Sequence, residues 1–398
     1  MSKVKRKITY RMYPTKKQET LLLEILDHHR LLYNSALKER IDAYKTTNKF
    51  ISRSDQEKQL TEIRKEFPEY KKFNSQSQQR TLKRLDLAFQ NFFRRIRNGE
   101  TPGFPRFKFE RRFTSFGFNS HGDGYKLLDN GKLRISGVGQ IKLRGKSLYS
   151  GEPKESQVLY RDDKWYFSLT LETCSRRNNN DSKYDVIFAD WGIKNILTLA
   201  KISNLNTPNS IEYEEISNPK FLNKYRTELE KIQSKRDKTK HKTCKRRKLT
   251  KKYRALNRKI RNIRGDFQNK LSNRLAKLTR AFVTEKLNVK GMVEGEIEKL
   301  GKNNKGLHRN ILDSAPASLF SKIRYKVEET GSEYRELDTR TLKPTQRCSE
   351  CWKLVKKGIN DRVHECSCGY KQGRDRNAVR VMAKHFIKSQ ELALKACL

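Results

Sequence analysis

Cys348-Ser349-Glu350-Cys351 is followed by fourteen residues and then Cys366-Ser367-Cys368, so four of the seven cysteines share one short stretch. No other local feature constrains the fold as much, because one Cys-bearing turn must be brought against another. Four thiolates at this spacing suit tetrahedral zinc, and a site closed by four cysteines is structural, with no open position for chemistry. The second pair is separated by one residue, tighter than zinc ribbons usually show, which leaves His364 as an alternative ligand. Cys174, Cys244 and Cys397 have no comparable grouping and read as free thiols. Clustered thiols used as a metal clip, not as a disulfide framework, point to a reducing compartment.

The rest of the chain must fold against its own charge. It carries 90 Lys and Arg against 45 Asp and Glu, a formal +45, which opposes compaction unless a polyanion neutralises it. Nucleic acid bound through its phosphates is the expected partner. The excess is sharpest between Lys235 and Arg264, with 16 Lys or Arg and one acid, Asp237. Two helices laid along a phosphate backbone account for this stretch, and Lys245, Arg246 and Arg247 are its candidate contacts. No apolar run approaches the roughly 20 residues of a membrane span, and the start, Met1 to Arg6, lacks the apolar core of a signal peptide. The expectation is a cytoplasmic, nucleoid-associated protein with no membrane partner.

At 398 residues the chain has room for two or three cores. Lys3 to Met12 alternates loosely and stops at Tyr13-Pro14, which predicts a strand. Thr15 then opens a helical pattern carrying Leu21, Leu22, Ile25 and Leu26 on one face, and amphipathic stretches continue to about Arg97. Asn98-Gly99 and Thr101-Pro102-Gly103-Phe104-Pro105 end the helices. Short alternating runs such as Lys132–Ser136 and Trp165–Leu169 then make a β-rich region to about Thr173. The linker is placed at 175–183, where Asn178 to Asn180 are consecutive asparagines. Beyond it Val186-Ile187-Phe188 and Ile196–Ala200 read as strands, and a long helical stretch is expected over 219–280.

Hydrolysis of phosphodiesters with two metal ions needs carboxylates converging on hard cations about 4 Å apart. Such acids belong at strand ends or helix starts in separate segments. Three fit that description. Asp190 ends the strand Val186–Ala189 and precedes Trp191-Gly192, where glycine lets the chain turn. Glu285 ends the apolar run Ala281–Thr284. Asp375 lies in Gly373-Arg374-Asp375-Arg376-Asn377, just before the helical pattern Val379 to Phe386. Singly these are a turn residue, a surface charge and a helix cap; in order, they form a set.

The segments Asp190-Trp191-Gly192-Ile193-Lys194-Asn195, Glu285 to Met292 and Arg374-Asp375-Arg376-Asn377-Ala378 resemble the three RuvC motifs of the TnpB family, transposon-encoded relatives of type V CRISPR effectors. The resemblance extends to Tyr13-Pro14-Thr15 with Gln18, Asn91-Phe92-Phe93-Arg94-Arg95, Pro102 to Lys108, and Asp266 to Ser272. Gly373 and Lys286 stand where the family often has acids, and Trp191 where it has an aliphatic residue; none of these removes a member of the triad.

The resemblance implies an α/β and β multi-domain protein, in which an RNase H-like (RuvC) nuclease domain with a zinc-binding insertion follows an N-terminal β-barrel-like domain with an inserted helical block. The expected boundaries are 1–14 and 98–174 for a β-rich wedge-like domain and 15–97 for a helical recognition block. The nuclease domain is expected over 184–398, with its zinc-binding insertion at 345–372. It further implies a guide RNA, a double-stranded DNA target cut next to a short motif, two Mg²⁺ ions on Asp190, Glu285 and Asp375, and structural zinc on Cys348, Cys351, Cys366 and Cys368. By position, Gln79 and Asn119 are the candidates for reading the motif, since an amide can contact adenine bidentately. Two other readings are a catalytically silent guided repressor and a strand-joining transposase. A repressor has no use for mutually repelling acids, and a transposase leaves the N-terminal resemblance unexplained.

Overall fold

The computed structural model describes residues 3–145, 151–174, 182–205, 211–289, 291–293, 305–358 and 361–396. The chain divides into two compact units, 1–174 and 175–398. The expected linker falls for the most part outside the described residues, as do the side chains of Cys174 and Cys397.

In the first unit, strand β1 (Lys3–Tyr13) ends at Pro14, and Thr15 starts helix α1 (Lys16–Thr47) with a capping box. The Thr15 hydroxyl accepts from the Gln18 N–H while the Gln18 side chain accepts from the Thr15 N–H, so two otherwise orphaned donors are satisfied. Helices α2 (Arg53–Glu66) and α3 (Ser75–Arg97) follow. Strands β2 (Ser115–Phe118), β3 (Tyr125–Leu127), β4 (Lys132–Ile135), β5 (Gly139–Arg144), β6 (Glu152–Arg161) and β7 (Lys164–Cys174) complete the unit. The seven strands form one antiparallel sheet, ordered β2-β6-β7-β1-β5-β4-β3. It curls until its two edge strands meet through side chains, Phe118 lying 5.7 Å from Tyr125, without a ladder between them. The sheet is therefore curled but not hydrogen-bonded into a closed barrel. Its core joins Tyr125, Leu133, Ile141 and Phe167 to Leu22, Leu26 and Leu37 of α1 and Leu82 and Leu85 of α3.

In the second unit, β8 (Tyr184–Asp190), β9 (Asn195–Ile202) and β10 (Ile211–Ser217) form an antiparallel meander. β11 (Thr279–Glu285) and β12 (Glu333–Leu337) extend it in parallel on the other side, for a sheet ordered β10-β9-β8-β11-β12. The near-continuous apolar run of β8 follows from burial on both faces. Val186 and Phe188 meet Val379, Met382 and Phe386 of the C-terminal helix, whereas Ile187 and Ala189 join Leu271 and Leu275 with Leu319 and Ile323.

The expected helical stretch over 219–280 is two helices, α4 (Phe221–Asp237) and α5 (Cys244–Leu278), and Thr279 and Arg280 already belong to β11. Helices α6 (Lys305–Ser314), α7 (Pro316–Glu329), α8 (Thr339–Leu342) and α9 (Arg374–Ala396), with the hairpin β13 (Val363–Glu365) and β14 (Lys371–Gly373), complete the unit. No helix among the described residues is long and apolar enough to cross a membrane.

Candidate active site and metal clip

Register places the first two acids. β8 and β11 run parallel with Ala189 opposite Thr284, so Asp190 and Glu285 leave neighbouring strand ends side by side. The buried Thr284 hydroxyl donates to the Ala189 carbonyl at 3.2 Å and fixes this pairing one residue before the acids. Asp375 arrives separately, in the first turn of α9. A side chain at Gly192 would lie 2.9 Å from the Asn195 carbonyl oxygen and 4.0 Å from Asp375 Oδ2, so a bare residue lets the chain turn into β9 beneath the third carboxylate.

Burial pushes the Asp190 carboxyl well above the usual range, and Glu285 and Asp375 push it further, against Arg374. Burial also raises Glu285, opposed by its hydrogen bond with Asp190. Two carboxylates this close and this desolvated do not both ionise without a compensating cation. Their all-oxygen donor set is the one hard divalent ions take. The three acids are spread more widely than the thiols: among the described residues, only the four cysteines bring three or more ligand atoms within 4.8 Å of one another. Arg374 lies 3.5 Å from Asp375 Oδ1, and Arg376 anchors the start of α9 to Glu215 of β10 at 2.6 Å. A cavity of about 250 Å³ adjoins Glu285, lined also by Leu287, Phe320, Arg324 and Tyr334.

The cysteines occupy the turn at Cys348–Cys351 and the β13–β14 hairpin, with Cys348 and Cys368 sulfurs 3.7 Å apart and those of Cys351 and Cys366 3.4 Å apart. Tetrahedral zinc with bonds of about 2.3 Å separates its sulfurs by roughly 3.8 Å, so the residues fit the ion. The Cys368 backbone N–H draws the Cys366 thiol down to about 6. Cys351 moves the other way, up to about 11, despite a lowering Lys353 backbone hydrogen bond, because desolvation and the other sulfurs favour its protonated form. Thiols coupled in this way release their protons jointly to a metal. His364, the alternative ligand, is buried beside Lys357 and is not one of the clustered atoms.

Sequence reasoning missed Asn377. It is fully buried, its Oδ1 accepts from Ser349 N–H at 3.1 Å, and its Nδ2 donates to the Arg347 carbonyl at 2.7 Å. Both bonds reach backbone flanking Cys348, so the clip and the turn bearing Asp375 are joined directly. An amide two residues after an acid, at the head of the apolar run Ala378-Val379, was the available signal.

The remaining candidates are dispersed. Gln79 is exposed and lines a cleft of about 350 Å³ with Arg64, Lys65 and Lys71. Asn119 follows β2 and accepts from Arg80 at 3.4 Å. Lys245 and Arg247 are exposed, but Arg246 is occupied, donating to the carbonyls of Arg236 at 2.7 Å and Thr239 at 2.8 Å. It closes the α4–α5 turn. Cys244 is an exposed free thiol.

Comparison with known proteins places these features in one family. Residues 175–296 match the OrfB/IS605 model described as "Probable transposase". Residues 1–49 match the OrfB/IS605 helix-turn-helix domain, and 317–382 the Cas12f1-like TNB domain. Within 1–49 the structure holds one strand and one continuous helix. A Streptomyces pristinaespiralis protein provisionally named RNA-guided DNA endonuclease is 28% identical over 410 residues, covering 100% of this chain and 92% of the relative. The Escherichia coli K12 protein InsQ, with the same provisional name, is 25% identical over 356 residues, covering 87% and 83%. The fold is similar to that in a solved Cas12f1–sgRNA–target DNA complex, with TM-score 0.58 and 12% identity over 96% of this chain and 99% of that one. Three family models spread along the chain and two relatives matched over most of their length agree with the motifs: the chain is similar to the TnpB family along most of its length.

Proposed function

We propose that this protein is an RNA-guided DNA endonuclease that hydrolyses a phosphodiester of guide-matched double-stranded DNA next to a short motif. The observation that carries the reading is the meeting of Asp190, Glu285 and Asp375, from three separate elements, in a chain of net charge +45. The names of the two full-length relatives agree with it. A sheet with three antiparallel strands continued by two parallel ones suits an RNase H-like, RuvC-type nuclease domain over 184–398.

In this reading Asp190, Glu285 and Asp375 would hold Mg²⁺, as a pair of ions. The chemistry such cations supply when bound is activation of water and neutralisation of charge developing on the phosphodiester. The chain's own contribution is to hold three carboxylates in a desolvated site where electrostatic interactions are strong. Arg374 beside Asp375 balances part of their charge. Cys348, Cys351, Cys366 and Cys368 hold structural zinc, and Asn377 carries the order of that clip to α9. Residues 1–14 with 98–174 form the wedge-like domain and 15–97 the recognition block; Asn119 of the former and Gln79 of the latter face the motif. Lys245 and Arg247 contact phosphates. Base pairing then reads the sequence, and the protein reads backbone shape.

Asp190→Ala is expected to abolish Mg²⁺-dependent cleavage of a guide-matched duplex and leave RNA binding intact, measured on the complex with its co-purified RNA. Undiminished cutting by the variant would remove the assignment. Absence of cutting by the unmodified complex, with guided binding retained, would identify a repressor instead.

A further inference from the structure

Two segments singled out in the sequence, Asn91 to Arg95 and Pro102 to Lys108, are not used by the nuclease site, yet the structure brings them together. Phe104 stands edge-on to Phe89 and Phe92, with ring centroids 5.7 and 5.3 Å away, and Phe93 packs against both of those rings from α3. Phe89 is buried and forms the floor, while Phe93 and Phe104 remain 45% and 48% exposed. Farther along the same loop Phe107 is 47% exposed and Phe109 72%. From Leu87 to Phe113 the chain has seven phenylalanines and seven Lys or Arg against two acids. One of those acids, Glu100, lies 3.8 Å from Arg94 and 4.0 Å from Arg95 in an exposed pairing that neutralises little.

The loop is held without a ligand. Asn34 accepts from the Lys108 N–H at 2.8 Å and donates to its carbonyl at 3.0 Å. Pro102 and Pro105 restrict the stretch between. Half-exposed rings fixed in place cost solvation energy, and apolar patches of this kind mark interaction sites. A purely apolar partner would leave the surrounding guanidinium groups without counter-charge. A nucleic acid supplies both needs, since every base has a π face and every nucleotide a phosphate.

We infer that Phe93, Phe104, Phe107 and Phe109, with Arg94, Arg97 and Arg106, form a stacking platform for unpaired bases of single-stranded RNA. RNA is the occupant because its loops and ends offer unstacked bases at all times, whereas a DNA duplex offers them only once opened. The identity of that RNA rests on the guided reading above, but the test does not involve cleavage.

The test uses the full chain, freed of nucleic acid at high salt, with a short single-stranded RNA carrying 2-aminopurine. Binding should quench the probe's fluorescence through stacking. Phe93→Ala and Phe104→Ala should each weaken binding roughly 5- to 150-fold, the range for losing one stacked base. The slope of log affinity against log salt should stay the same, and Phe104→Tyr should retain affinity. Arg94→Gln should instead reduce the salt slope by about 0.7, as for one phosphate contact on a single strand. Unchanged affinity in both Phe variants overturns the proposal, and so does a Phe-dependent loss confined to single-stranded DNA. A fall from dimer to monomer in the Phe variants, with RNA binding intact, would also overturn it, marking the face as a contact between copies. Because no step depends on Asp190, failure here leaves the nuclease reading standing, and an inactive nuclease leaves this result standing.

Discussion

Asn377 shows how one side chain can join two chemistries. Replacing it with Ala strips partners from the Ser349 N–H and the Arg347 carbonyl, and a buried polar group left unpaired costs about 1–3 kcal/mol. Asn377→Ala is expected to bind one equivalent of zinc, melt at a lower temperature, and cleave at least ~10-fold more slowly than the parent, in line with the loss of a supporting shell around metal-binding residues. Zinc stoichiometry by a colorimetric chelator, thermal melting and cleavage rate check this together. Full activity at a lowered melting temperature would confine the residue to stability. The same scale explains why a pattern reader passes over it: the residue type is unremarkable, and its importance lies in contacts 28 and 30 positions away.

Helix α1 carries a second buried group whose effect belongs to the element. His29 packs on Phe116 and pairs through Nδ1 with the Thr81 hydroxyl. Burial, with a smaller contribution from His28, lowers it to about 3. His28, stacked on Phe73, is lowered to about 4 by burial and by Arg64. Both folded values lie below the unfolded 6.5, so the unfolded chain binds more protons as pH falls. Their stabilisation is complete above pH 6.5 and is lost progressively below it, down through pH 4 and 3. At pH 5, His29 alone should cost the first unit about 2 kcal/mol. Trp165 is that unit's tryptophan, and a Trp191→Phe, Trp352→Phe background isolates it. Urea unfolding followed on Trp165 at pH 7.5 and 5.0 should show the loss, and equal midpoints would contradict the burial of His29. At this scale most was legible beforehand: the first strand, the capped α1, the break after Arg97 and the strand leading to Asp190 all follow from local alternation, capping and proline. The exceptions are instructive. The turn between α4 and α5 has no proline or glycine to announce it, and Thr279-Arg280 continues a helical pattern until pairing with β8 claims it as strand.

For the whole molecule, a charge of +45 makes salt the main control on its partners. RNA affinity should fall linearly in log salt, by about 300-fold or more between 50 and 200 mM for six or more phosphate contacts at about 0.7 each. Arg247→Ala should lower the slope by about 0.7. Arg246→Ala should leave it near the parent value and loosen the α4–α5 turn, because that guanidinium is committed to backbone carbonyls. Filter binding over a salt series measures both, and a slope lost equally in the two variants would contradict the division. The sequence by itself determined the polyanionic partner, the thiol clip and the ordered acids, because charge, spacing and motif are properties of neighbours along the chain. Tertiary structure alone decided that Asp190 and Glu285 are adjacent, that Asn377 joins clip to acid, that Arg246 is occupied, and that two phenylalanine segments share one surface. Those relations depend on strand register and packing between residues distant in sequence, and local sterics and periodicity do not specify them.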